Sequence, residues 1–143
     1  MTVIAWDGKT LAADRRTSFG SRHMTTRKAH RVNGALVAGA GETAAILEMV
    51  EWFRAGAKPE DLPANQRTDN CVTLLVITPK GEILEYANGP YPIVVKEKQW
   101  AVGSGAEFAR TAMYLGKSAR EAVTIACKFD TCSGNGIDTL ELE

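Results

Sequence analysis

Two turn signals close to the start do most to restrict what this chain can fold into. Asp7-Gly8 separates the β-branched, apolar run Thr2 to Trp6 from Lys9 to Asp14. Asn33-Gly34 separates Thr25 to Val32 from the small apolar run Ala35 to Ala40. Asp-Gly and Asn-Gly tolerate the positive φ values of a tight hairpin turn, so each pair of runs is expected to fold back antiparallel. The first hairpin would lay the opening residues beside Leu11-Ala12-Ala13-Asp14. Between the hairpins, residues 15 to 24 are polar, with a turn expected at Gly20.

The hydrophobic period then changes. Ile46, Leu47, Val50 and Phe53 follow helical spacing in a stretch that begins near Glu42-Thr43, runs to Arg54 and is ended by Gly56 and Pro59. Residues 57 to 70 read as a polar connector. Strands return at Val72 to Thr78 and Glu82 to Ala87 around Pro79-Lys80-Gly81, Asn88-Gly89-Pro90 turns again, and Pro92 to Glu97 and Trp100 to Gly103 read as extended. Helical patterns cover Ala106 to Leu115 and Ala119 to Phe129, with Ser118 and Glu121 spaced as a capping box, and Ile137 to Leu142 could close a sheet. Strands grouped in hairpins favour antiparallel sheets covered by helices over a doubly wound parallel sheet. The length of 143 residues suits one domain spanning residues 1 to 143.

Composition narrows the function classes. Lysine plus arginine and aspartate plus glutamate both number 17, so no long-range field draws nucleic acid or an anionic membrane to the chain. Near-zero net charge fits self-association. Cys71, Cys127 and Cys132 are odd in number and lack zinc spacing, and only two histidines accompany them, so neither a disulfide framework nor a metal site is expected. The opening residues lack a basic region, and no apolar run approaches the ~20 residues of a membrane span. A cytoplasmic protein is the expectation.

Familiar chemical motifs are missing or incomplete. There is no P-loop and no G-x-S-x-G elbow, and GAGETA around Gly39 and Gly41 lacks the full dinucleotide pattern. His23 and His30 sit in strand-like sequence with no serine partner implied, and no cofactor is expected. What remains is Thr2, directly after Met1. Removal of Met1 would free an α-amino group with a reference pKa of ~8, able to accept the proton of its own hydroxyl.

Five segments around that threonine carry a resemblance. TVIAWDGKTLAADRRTSFG resembles the opening of proteasome β-subunits and of the bacterial peptidase HslV, members of the N-terminal-nucleophile hydrolases. TTRKAHRV resembles their catalytic-lysine segment, ALVAGAGETAAI their oxyanion segment, WAVGSGAEFARTA their Gly-Ser-Gly segment, and DTCSGNGIDTLEL their D-x-x-S-G ending. The resemblance implies an α+β fold, a four-layer α-β-β-α sandwich with two antiparallel sheets. It implies Thr2 as nucleophile, Asp14 and Lys28 as its tuning pair, and Ser104, Asp130 and Ser133 as groups that orient the amine and a water. Gly41 falls on the oxyanion position and Arg16 on a nearby basic position. It further implies a threonine-type endopeptidase acting on polypeptides inside a homo-oligomeric ring, with an ATPase unfoldase as a candidate partner. Two other readings stay open: a non-catalytic assembly protein that keeps Met1, and a small-molecule amidase of the same wider group. Residues 57 to 70 depart from the pattern, because they are too short to hold the second helix of the family's helix pair.

Overall fold

The structure is a computed structural model that describes residues 2–143, so the fate of Met1 lies outside the described residues. Two antiparallel sheets pack face to face. The first has the order β10-β1-β2-β11, from β1 (Val3–Trp6), β2 (Thr10–Asp14), β10 (Trp100–Gly103) and β11 (Ile137–Glu141). The second has the order β5-β6-β7-β8-β9, from β5 (Ala29–Val32), β6 (Ala35–Ala40), β7 (Thr73–Ile77), β8 (Ile83–Tyr86) and β9 (Ile93–Val95). Helices α2 (Ala106–Tyr114) and α3 (Ala119–Phe129) cover the first sheet, and α1 (Thr43–Arg54) covers the second. This is the four-layer α-β-β-α arrangement.

The layers follow from strand periodicity. Along a strand successive side chains point to opposite faces, and here both faces are buried. Val3, Ala5 and Ala12 pack under α2 and α3, together with Ala109, Met113 and Val123. The alternate residues Ile4, Trp6, Leu11 and Ala13 meet Leu36, Ala38, Leu75 and Ile77 between the sheets. Val37, Leu74 and Val76 pack under α1 against Ile46, Met49 and Val50. The apolar runs of β1, β2, β6 and β7 are therefore nearly continuous, because these central strands are buried on both faces. The Ser118–Glu121 capping box forms as expected, the Glu121 N–H donating to Ser118 Oγ at 3.2 Å and the Ser118 N–H to Glu121 Oε1 at 3.0 Å. Among the described residues no helix is long and apolar enough to cross a membrane.

One local expectation is corrected and two gain detail. The turn expected at Gly20 is present, and the polar residues around it add a pairing that was not expected: β3 (Arg16–Phe19) and β4 (Arg22–Thr25) form a separate two-stranded hairpin. Neither strand has a buried face, so the sequence carries no apolar alternation to reveal it. The run Thr25 to Val32 is not one strand but breaks between Thr25 and Ala29. Finally, the polar connector is ordered by two 3-10 turns, Pro59–Asp61 and Ala64–Arg67. Its anchor is Gln66, fully buried, which accepts from the Val72 N–H at 2.7 Å and donates to the Val72 carbonyl at 3.0 Å.

The topology gathers chain segments at one end of the sandwich. In the first sheet β1 begins where β10 ends (Val3 opposite Gly103), where β2 ends (Ile4 opposite Ala13) and where β11 begins (Ile137 opposite Asp14). In the second, β5 begins where β6 ends, with Ala29 opposite Ala38. Residues that flank these strand ends converge although they lie up to 132 positions apart in the chain, Thr2 to Gly134.

Candidate active site

Asp14 is the centre of the converging segments. Its side chain has no exposed surface, and five donors serve it. One oxygen accepts from the Thr2 hydroxyl, the Val3 N–H at 3.1 Å and Lys28 Nζ at 2.9 Å. The other accepts from the Arg16 N–H at 3.2 Å and the Gly134 N–H at 3.0 Å. Three donors on one oxygen and two on the other fill the roughly four lone-pair sites that a carboxylate offers. Lys28 is only 8% exposed, and the break between β4 and β5 lets it turn into this corner. Burial lowers its pKa, and the Asp14 carboxylate, acting through charge and hydrogen bond, offsets only part of that.

A second cluster lies on the other side of Thr2. Ser104 Oγ donates to Asp130 at 2.6 Å, and Ser133 Oγ donates to the same oxygen at 2.6 Å. The Cys132 N–H donates to the other Asp130 oxygen at 3.1 Å. Partial burial pushes the Asp130 pKa up, but the two hydroxyls and the N–H outweigh it and hold the carboxyl below its usual range. The Thr2 carbonyl joins the clusters, accepting from the Gly105 N–H at 3.1 Å and lying 3.2 Å from Ser104 Oγ. Cys127 lies within electrostatic reach of Lys28, Asp14 and Asp130, and burial with those two carboxylates pushes its thiol up to about 11.

A cleft of about 370 Å³ opens beside Thr2. Lys28, Gly39, Gly41 and Arg16 share its walls with Phe19 and Met24 of the β3–β4 hairpin and Ile46 and Leu47 of α1. Gly41 has φ +133°, and a Cβ there would stand 2.6 Å from Val72 Cγ1. A close backbone approach is therefore built in where a backbone N–H donor is expected. The Arg16 guanidinium donates to Asn135 Oδ1 and the Thr131 carbonyl, both at 3.1 Å, and so fastens the loop that carries Ser133. Among the described residues no cluster of histidine, cysteine, aspartate and glutamate could hold a metal ion.

All eight sequence-derived residues thus lie at one end of the fold. Thr2, Asp14 and Lys28 are in direct contact, Ser104, Asp130 and Ser133 form one hydrogen-bonded trio, and Gly41 and Arg16 line the cleft. Sequence reading missed three contributors. Gly105 and Gly134 act through backbone N–H groups, which leave no side-chain signature. Gly103 has φ +98°, and a Cβ on it would lie 2.2 Å from the Thr2 carbonyl oxygen. Gly103→Ala is therefore expected to cost at least ~1–3 kcal/mol in chemical denaturation and to displace Thr2; a variant of unchanged stability would show that this approach is unimportant.

No family model matches the chain. One curated relative does: proteasome subunit beta 2 of Pyrococcus abyssi is 31% identical over 170 aligned positions, covering 94% of this chain and 81% of the relative. The chain belongs to the proteasome β-subunit family. Solved structures agree on the fold. A Thiobacillus denitrificans protein termed BPH, in complex with epoxomicin, superposes with a TM-score of 0.76 at 22% identity, over 100% of both chains. Eukaryotic HslV from Trypanosoma brucei superposes with a TM-score of 0.73 at 25% identity, over 99% of this chain and 98% of its own. The alignment with the archaeal β-subunit is longer than this chain, so that relative carries residues which the present member lacks.

Proposed function

We propose that this proteasome-family chain is a threonine-type endopeptidase that acts on polypeptides within a homo-oligomeric ring, with Thr2 as the N-terminal nucleophile once Met1 is removed. One observation carries the reading: a fully buried carboxylate, Asp14, binds the Thr2 hydroxyl and the Lys28 ammonium through the same oxygen, at the edge of an open cleft. A buried ion pair contributes little net stability, and a lysine whose pKa is lowered by burial, set beside a specific charge partner at a cleft, is more typical of chemistry than of folding.

The steps follow from the arrangement. Thr2 Oγ attacks the scissile carbonyl carbon while the freed α-amino group of Thr2 takes the hydroxyl proton. Lys28 places positive charge where Oγ becomes electron-rich, and like-charge repulsion from it favours the unprotonated form of the freed amine. The carbonyl oxygen, now an oxyanion, is served by the backbone N–H at Gly41. Collapse of the tetrahedral intermediate breaks the C–N bond, and the leaving amine takes the proton from the Thr2 amine. A water then attacks the resulting ester by the same route and restores the hydroxyl. Asp14 fixes Lys28 and the backbone at Val3, Arg16 and Gly134, while Ser104, Asp130 and Ser133 form the hydrogen-bonded trio that would hold the amine and the water in place. The machinery uses no cofactor.

Labelling with epoxomicin, the compound in the Thiobacillus complex, followed by intact-mass analysis tests the reading. Chains that begin at Thr2 should gain one equivalent and lose peptide hydrolysis in parallel, and chains that retain Met1 should gain none. Chains beginning at Thr2 that neither take the label nor cleave any peptide would leave the non-catalytic assembly protein as the better account.

A further inference from the structure

The β3–β4 hairpin is the one described strand pair that belongs to neither main sheet. It projects beside the cleft with Phe19 66% and Met24 42% exposed, and the Arg22 guanidinium lies 5.6 Å from the centre of the Phe19 ring. An aromatic ring and a methionine held outside the core, with a cation laid on the ring, are the residue types enriched at protein interfaces. Arg22 has no carboxylate within ion-pair distance among the described residues.

Across the cleft, the outer face of α1 and the 3-10 connector enclose a groove. Leu47, 49% exposed, and Pro63 form its apolar part. Glu48, Glu51 and Asp61 line it against a single cation, Lys58. Glu51 is engaged by Arg54 at 3.3 Å, whereas Glu48 and Asp61 have no ion pair among the described residues. Trp52 Nε1 donates to the Lys58 carbonyl at 2.8 Å, so the connector is pinned to α1 and the groove is a formed surface. Ala44 and Leu47 border both the groove and the cleft.

We propose that this groove receives the β3–β4 hairpin of a second copy of the chain. The occupant is argued from complementarity: an apolar tip flanked by an unpaired arginine meets an apolar floor flanked by unpaired carboxylates. The contact is heterologous, because hairpin and groove are different surfaces of one chain, and heterologous contacts propagate head to tail until a ring closes. Hairpin and groove flank the same cleft, so each cleft acquires a wall from its own hairpin and another from the neighbour's. Phe19 of the neighbouring copy then borders the substrate path, and the site is complete only in the assembly. The inference rests on the ring assembly proposed above, but not on Thr2 chemistry.

Sedimentation velocity on the full chain tests it. Arg22→Glu and Glu48→Arg should each weaken self-association by roughly tenfold or more, since each sets like charges against one another across the contact. The double variant Arg22→Glu, Glu48→Arg restores opposite charges and should recover assembly. Circular dichroism spectra like that of the wild type confirm that the exposed substitutions leave the fold intact. Single variants that assemble like the wild type, or a double variant no better than either single, would overturn the contact and give the groove to another occupant. A wild-type chain that stays monomeric throughout the micromolar range would overturn the ring and the contact together. An assembled but catalytically silent chain would refute the peptidase reading alone.

Discussion

Replacing Thr2 with alanine is expected to lower peptide hydrolysis by at least ~10³-fold, measured with a fluorogenic peptide under saturating conditions. No other described hydroxyl stands both on the Asp14 carboxylate and at the cleft, so nothing can substitute as nucleophile. The structural cost should be small. Thr2 supplies one of five donors to Asp14, and losing one such bond while four remain costs about 1 kcal/mol. Thr2→Ser keeps both hydroxyl and amine and should retain measurable turnover. Sedimentation and thermal unfolding of Thr2→Ala should match the parent, which separates loss of chemistry from loss of fold. Undiminished turnover in Thr2→Ala would refute the proposed nucleophile.

How much of this could be read beforehand depends on where each signal resides. The Asp7-Gly8 turn is local chemistry, and it correctly set the opening residues antiparallel to Leu11–Asp14, which brings Thr2 to Asp14. Asn33-Gly34 and the Ser118 capping box were legible for the same reason. Other features had no local signature. The β3–β4 strands bury no face, so no alternation marks them. Gln66 looks like any polar residue of a connector, and only tertiary contact makes it the buried anchor. The meeting of Lys28 with Asp14, or of Ser104 with Asp130, joins segments whose spacing says nothing about distance. Those pairings came from resemblance and not from periodicity. The backbone donors at Gly105 and Gly134 were out of reach of either, because an N–H is common to nearly every residue.

The Asp14–Lys28 pair should respond asymmetrically to substitution, although both halves are needed for turnover. Breaking a buried ion pair usually costs ~3–5 kcal/mol, because the surviving charge is left without compensation. Here the two survivors differ. In Lys28→Met the carboxylate keeps the Thr2 hydroxyl and the N–H groups of Val3, Arg16 and Gly134. Backbone donors of this kind stabilise a carboxylate well without a cation. The lysine itself pays a burial penalty that Asp14 only partly offsets, as its lowered pKa shows, and methionine removes that penalty. Lys28→Met should therefore cost only about 1–2 kcal/mol. In Asp14→Ala the ammonium loses its carboxylate and three backbone N–H groups lose their acceptor at once, so the loss should reach ~3–5 kcal/mol or more. Urea denaturation of the two variants gives the comparison directly. Peptide hydrolysis should fall by ~10²–10⁴-fold in both, the range set by removing a positioned proton-handling or charge-stabilising group. A Lys28→Met protein as unstable as Asp14→Ala would mean that the pair acts chiefly in folding. A Lys28→Met protein that is nearly as stable as its parent yet inactive would place the buried lysine in the chemistry at Thr2.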